Sequence, residues 1–112
     1  MSNPPKVKGT AFESSLLPLI REYHPYAERR ALTGAKDKGD FFLPGADFIL
    51  EAKCVRTMSL GSWLDEAVRE AINAEVGYGI VVHKRKGKTD PAEQFATMRF
   101  KSLLDILGYL PP

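Results

Sequence analysis

Three residues near the middle of the chain have the types and spacing for chemistry: Asp40, Glu51 and Lys53. They interrupt two short apolar runs that flank Pro44-Gly45. Pro presets φ for the second position of a type II turn and Gly tolerates the positive φ of the third, so the stretch reads as strand, turn, strand. With Leu43 and Ala46 flanking the turn, Asp40 falls opposite Ile49 and becomes the diagonal neighbour of Glu51, about 7 Å away or less. Asp47, Ile49, Glu51 and Lys53 point to one face, and Phe48, Leu50, Ala52 and Cys54 to the other. Two carboxylates at that range can share a hard cation. Lys53 stands about 6.6 Å further along the same face, whereas Asp47, about 13 Å from Glu51, is out of reach of that ion. A two-residue type II turn splays a hairpin, so a wider loop would shift this register.

Other elements must hold that hairpin. Thr10 to about His24 carries Phe12, Leu16, Leu19, Ile20 and Tyr23 at helical spacing, after a flexible arm over residues 1–7. Pro18 inside it predicts a kink or an early break, and Pro25 closes it. Ala27 to Leu32 is expected as a first strand, with Gly34 opening a basic connection to Asp40. Met58 to Gly77 is expected as a second helix with Leu60, Trp63, Leu64, Ala67, Val68, Ala71 and Ile72 on its apolar face, capped by Ser59 or Ser62. Tyr78 to His83 reads as a buried strand, Glu93 to Phe100 as an edge strand and Lys101 to Leu107 as a last helix. The order α-β-β-β-α-β implies an α/β fold, a mixed central sheet flanked by helices.

The 112 residues are expected to form a single domain over 1–112. With 44% apolar and 27% charged residues the composition is that of a soluble globular protein. No apolar run is long enough to span a bilayer and no signal peptide opens the chain, which points to the cytoplasm and away from a membrane. The lone Cys54 excludes an internal disulfide and reads as a small buried apolar residue in a reducing compartment. The net charge of +2 matters less than its placement. Arg29, Arg30, Lys36 and Lys38 precede Asp40, and Lys84, Arg85, Lys86 and Lys88 form a second basic group, while Asp65, Glu66, Glu70 and Glu75 concentrate acid. Such segregation suits a polyanion approaching one side.

A helix carrying Glu13 after Gly9, a strand opening at Asp40 and a strand carrying Glu51-Ala52-Lys53 resemble the PD-(D/E)XK nuclease superfamily over about Gly9 to His83. Within it, the Lys36-to-Asp40 lead-in and the Val81-to-Lys88 segment resemble archaeal-type and bacteriophage Holliday junction resolvases. The resemblance implies a restriction-endonuclease-like core and a homodimeric, Mg²⁺-dependent endonuclease (Mn²⁺ substituting) acting on branched, four-way DNA in recombination or replication. It places Asp40 and Glu51 on the metal ligands, and Lys53 and the helix acid Glu13 in catalytic roles. It also implies a host bacterial cytoplasm for a phage-encoded chain. Gly39 stands where the literal motif has Pro. The basic residues flanking the site would hold the DNA backbone with salt-dependent affinity.

Plainer roles exist for the same residues. Thr10-Ala11-Phe12-Glu13 fits a capping box, in which Glu13 bonds the Thr10 amide. Glu51 and Lys53 fit a solvated ion pair, and Asp40 a turn residue. Trp63 is expected in the core or a dimer contact, and His24 and His83 as bystanders. Two other functions share the features: a restriction-like or nicking nuclease on duplex DNA, and a DNA-binding module without chemistry.

Overall fold

The structure is a computed structural model that describes residues 4–30 and 39–108, with side chains described from residue 10 onward. The expected basic residues Lys36 and Lys38 lie outside the described residues. The chain forms an α/β fold in which α1 (Pro4–Tyr23), β1 (Glu28–Arg29), β2 (Phe41–Phe42), β3 (Phe48–Lys53), α2 (Leu60–Asn73), β4 (Tyr78–His83), β5 (Phe95–Thr97) and α3 (Phe100–Gly108) follow in order. A single 3-10 turn, Pro91–Glu93, precedes β5. The five strands make one mixed sheet in sequence order, antiparallel except for the parallel β3–β4 pair, which α2 crosses over to connect.

Alternation along β3 divides the core in two. Leu50 and Ala52 pack with Phe12 and Leu16 of α1 and with Phe41 and Leu43. On the other face, Val81 of β4 meets Trp63 and Ala67 of α2. Gly79 lets α2 lie directly on the sheet, since a Cβ there would come within 2.2 Å of the Ala67 carbonyl oxygen.

Several expectations need correction. α1 begins at Pro4, so residues 4–7 are helix and not an arm; proline suits a first helical turn, where its missing N–H costs nothing. Thr10 is therefore inside the helix, and the capping box has no helix start to cap. Of the kink or early break expected at Pro18, the early break does not occur, and the helix continues to Tyr23. Pro18 and Ser14 both lie on the exposed side of the helix. α2 is shorter than expected, ending at Asn73 rather than at a glycine, and Ile72 lies 68% exposed and off the apolar face. Ser59 occupies the N-cap without a side-chain cap bond.

The hairpin register is the correction that matters most. The turn forms as expected: Ala46 N–H donates to the Leu43 carbonyl over 3.0 Å, with Gly45 at φ +86°. Phe41, however, pairs with Leu50 and not with Phe48. Asp47 is drawn out of the strand, its carbonyl accepting from Gly77 and Tyr78 N–H and its Oδ1 from Gly77 N–H. Ala46 and Asp47 thus lengthen the connection, and the register moves by two. An even shift leaves every side chain on its expected face.

Candidate active site

Asp40 follows Gly39, whose φ of +93° turns the chain into β2. Proline, fixed near −65°, cannot take that conformation. Asp40 N–H donates to the Leu50 carbonyl over 3.0 Å. Two residues further along β3, the Ala52 N–H turns to the same side and donates to Asp40 Oδ2 over 2.8 Å. The carboxyl therefore sits where the next ladder bond would form, between the strands. There it meets the carboxyls of both Glu51 and Glu13.

From this point a row of acids crosses the β2–β3 step. Glu13 of α1 bonds Asp40, Asp40 bonds Glu51, and Glu51 bonds Glu70 of α2. Carboxylate oxygens of Glu51, Glu66 and Glu70 all lie within 4.8 Å of one another. Glu51 is 4% and Glu70 2% exposed. A cation ends the row on each side. Arg29 Nη2 contacts Glu13 Oε2 at 2.5 Å, and Lys53 Nζ lies 3.2 Å from Glu66 Oε2.

Burial and crowding set the protonation of the row. Asp40 is pushed up to about 8, first by burial and then by the neighbouring Glu51 carboxyl, against the Ala52 N–H bond. Glu51 is pushed up to about 9, again first by burial, with Glu70 adding to the rise and Lys53 opposing it. Glu13 is raised by burial and by Asp40 in spite of its Arg29 partner. Burial pulls on the Lys53 ammonium, but Glu66 outweighs it and holds that pKa above the usual value. Glu66 is lowered in turn, because Lys53 overcomes the cost of its burial.

The structure thus brings together Asp40, Glu51, Lys53 and Glu13. It adds Glu66 and Glu70, which the sequence marks only as part of an acidic concentration with Asp65 and Glu75. Glu70 carried a legible signal: it lies three residues after Ala67 and seven after Trp63, inside the apolar stripe, where an acid needs a reason to be.

The expected DNA-contacting residues fare differently. Arg29 is committed to Glu13, to Ser14 Oγ at 2.7 Å and to the Thr10 carbonyl. Arg30 lays its guanidinium over Phe42, 4.4 Å from the ring centroid. Lys84, Arg85, Lys86 and Lys88 leave the sheet beside the site. Lys53 pairs with His83 in the parallel register, and Lys84 N–H donates to the Lys53 carbonyl over 3.0 Å. Arg85 and Lys86 are exposed, while Lys88 approaches Glu93 at 3.9 Å. His83 is a core residue: Nε2 lies 2.8 Å from Thr97 Oγ1, Trp63 and Phe95 pack against the ring, and burial lowers its pKa. Cys54 is half-buried against the α1 core.

Comparison with protein-family models, with curated proteins and with solved structures gives no match. Among the described residues no helix is long and apolar enough to cross a membrane.

Proposed function

We propose that this protein is a divalent-metal-dependent DNA endonuclease with a restriction-endonuclease-like core, acting on branched DNA such as four-way junctions. The observation that carries the reading is the meeting of Asp40 and Glu51 at the β2–β3 step, with Lys53 on the same strand. Two acids whose pKa values are raised by burial first and by neighbouring carboxyls second are a site that gains by taking up a dication. The donors around Glu51 are carboxylate oxygens, and His83 is turned into an aromatic pocket. That set suits a hard ion, Mg²⁺ or Mn²⁺, better than a soft one.

Asp40 and Glu51 would hold the ion, with Glu70 and Glu66 within reach of the Glu51 side. A bound dication supplies charge relief to a phosphodiester and acidifies water. Lys53, kept protonated by Glu66, offsets negative charge as it develops on the phosphate. Glu13, bridged to Arg29, holds Asp40 from the α1 side. The basic β4–β5 loop starts one residue past the partner of Lys53, at the carboxyl ends of the parallel strands, and would grip the DNA backbone there.

The test is a side-by-side digest of four-way, flap and linear DNA with Mg²⁺ or with EDTA. Four-way products that form only with the metal are expected. Equal cutting of linear duplex would favour a duplex nuclease on the same residues. No cleavage of any substrate, with no Mg²⁺ binding by calorimetry, would leave a binding module and overturn the proposal.

A further inference from the structure

Residues 84–94 join the antiparallel strands β4 and β5, where a turn of about two to five residues would suffice. The longer connection is wired from within. Gly87 has φ +81°, and the Lys88 N–H donates to the Arg85 carbonyl over 3.1 Å, closing a reverse turn with Lys86 and Gly87 at its corners. Gln94, the residue before β5, ties both arms of that turn to the sheet. Its Oε1 accepts from the Arg85 N–H over 2.7 Å, and its Nε2 donates to the Lys88 and Asp90 carbonyls over 3.1 and 3.0 Å. Phe95 follows, and the Arg85 guanidinium lies over its ring, 5.5 Å from the centroid. We propose that Gln94 is a positioning residue for DNA binding: it holds the β4–β5 loop in the shape in which Arg85 meets a backbone phosphate.

The hairpin itself has little use for this wiring. The side-chain bonds of Gln94 all go into the loop, and the tip they hold, Arg85 to Gly87, is exposed. They present cations to the outside and build no core. Arg85 has the most to gain from them. Its N–H is held by Gln94, and its carbonyl accepts from the Lys88 N–H and from the Lys84 ammonium. Phe95 limits the swing of the side chain beyond. A guanidinium held in this way offers a planar fork of donors to two phosphate oxygens, a geometry that an ammonium does not match. A loop that had to be ordered on meeting DNA would lose affinity to that ordering, and a preformed one avoids the loss. The loop leaves β4 where the Lys84 N–H donates to the Lys53 carbonyl, so the fork stands beside the candidate active site. The inference rests on the DNA-binding part of the proposed function.

Fluorescence anisotropy with four-way DNA in EDTA tests it on the full chain, reading binding without cleavage. Gln94→Ala keeps every charge, and it should weaken binding by about five- to tenfold. In an Arg85→Ala background the same substitution should cost about twofold or less, because the side chain it positions is gone. Far-UV circular dichroism checks that each chain is folded. Should the alanine chain unfold, Gln94→Met keeps the bulk, lacks the donors and carries the same readout. Binding by Gln94→Ala equal to that of the parent would overturn the inference and leave the nuclease reading in place. Equal losses in the two backgrounds would also overturn it, since a merely loosened fold gives that result. A parent chain that binds no DNA would overturn both.

Discussion

On one face of β3, Leu50 and Ala52 pack among Phe12, Leu16 and Phe41; on the other, Ile49 is followed by Glu51 and Lys53 beneath Glu66 and Glu70 of α2. The two faces belong to the same six residues, and Ile49 and Glu51 on the second are the more deeply buried, yet the faces act on folding in opposite directions. Burial of the first removes apolar surface from water and stabilises the fold. Burial of the second crowds carboxyls whose charges repel, and stability falls as they ionise. A strand that only had to be stable would carry apolar residues on both faces, as buried parallel strands usually do. The acids on β3 are an expense of the fold, and function is the reason to look for.

The largest effects should separate the two faces cleanly. Asp40→Asn or Lys53→Ala should lower Mg²⁺-dependent cleavage of four-way DNA by about 10³-fold or more, measured under single turnover, while junction binding persists. Neither should destabilise the fold in proportion. Phe41→Ala, on the apolar face, should do the reverse: about 3–5 kcal/mol lost in urea denaturation, with cleavage per folded molecule retained. Full cleavage by the Asp40 or Lys53 variants would end the division of labour.

The next effect is on stability alone. Glu51→Gln keeps the shape and removes the charge. It should stabilise the metal-free protein at pH 9 by about 1–3 kcal/mol and leave it little changed at pH 5, where Glu51 holds its proton anyway. A variant less stable than the parent at pH 9 would show that the carboxylate is not strained there.

Smaller still is the coupling between pH and metal. Asp40 and Glu51 have folded pKa values of about 8 and about 9, above their ordinary values of 3.8 and 4.5. Their contribution to stability is therefore complete below the ordinary values, declines as pH rises, and is lost once pH passes the folded values. Mg²⁺ competes with the protons, so its stabilising effect should grow from pH 6 to pH 9. Thermal melts with and without Mg²⁺ at the two pH values measure this, and a shift independent of pH counts against a cation held by these two acids.

The contrast between the faces also marks what the sequence could disclose. Period-two alternation in β3 put Glu51 and Lys53 on one face, and the even register shift left that intact although the spacing of Asp40 along β3 was wrong. The displacement comes from Asp47, whose backbone and side chain are engaged by Gly77 and Tyr78, thirty and more residues away in the chain. A local turn rule has no access to such a tie. Glu66 and Glu70 were missed for a related reason: their acidity reads as surface until β3 is laid beneath α2. At Pro18 the early break did not occur, because the packing of Phe12, Leu16 and Ile20 on either side holds the helix together across the lost bond. Arg29 was read as a free basic residue until α1 brought Glu13 to it.

The smallest effect belongs to the basic loop, which differs from the acid row in being exposed. Each lysine that neutralises a phosphate releases condensed counterions, so its removal should lower the slope of log affinity against log salt by about 0.9 on duplex arms. The four residues are not equivalent. Lys86 is exposed and makes no ion pair among the described residues, whereas Lys88 is shared with Glu93 and the Lys84 ammonium donates to the Arg85 carbonyl over 3.1 Å. A lysine already engaged gives up less on leaving water and contributes less on meeting DNA. Lys86→Ala should therefore reduce the salt slope by close to the full amount and weaken junction binding a few-fold at moderate salt, with Lys88→Ala producing less of both. Cleavage at saturating enzyme should be unchanged in either variant, because the loop grips the backbone and the chemistry belongs to the strands behind it. Fluorescence anisotropy across a salt series measures the slopes. Equal slopes in Lys86→Ala and the parent would move the DNA off this loop, and would leave Arg69, exposed and lining a pocket with Glu66 and Glu70, as the next residue to test.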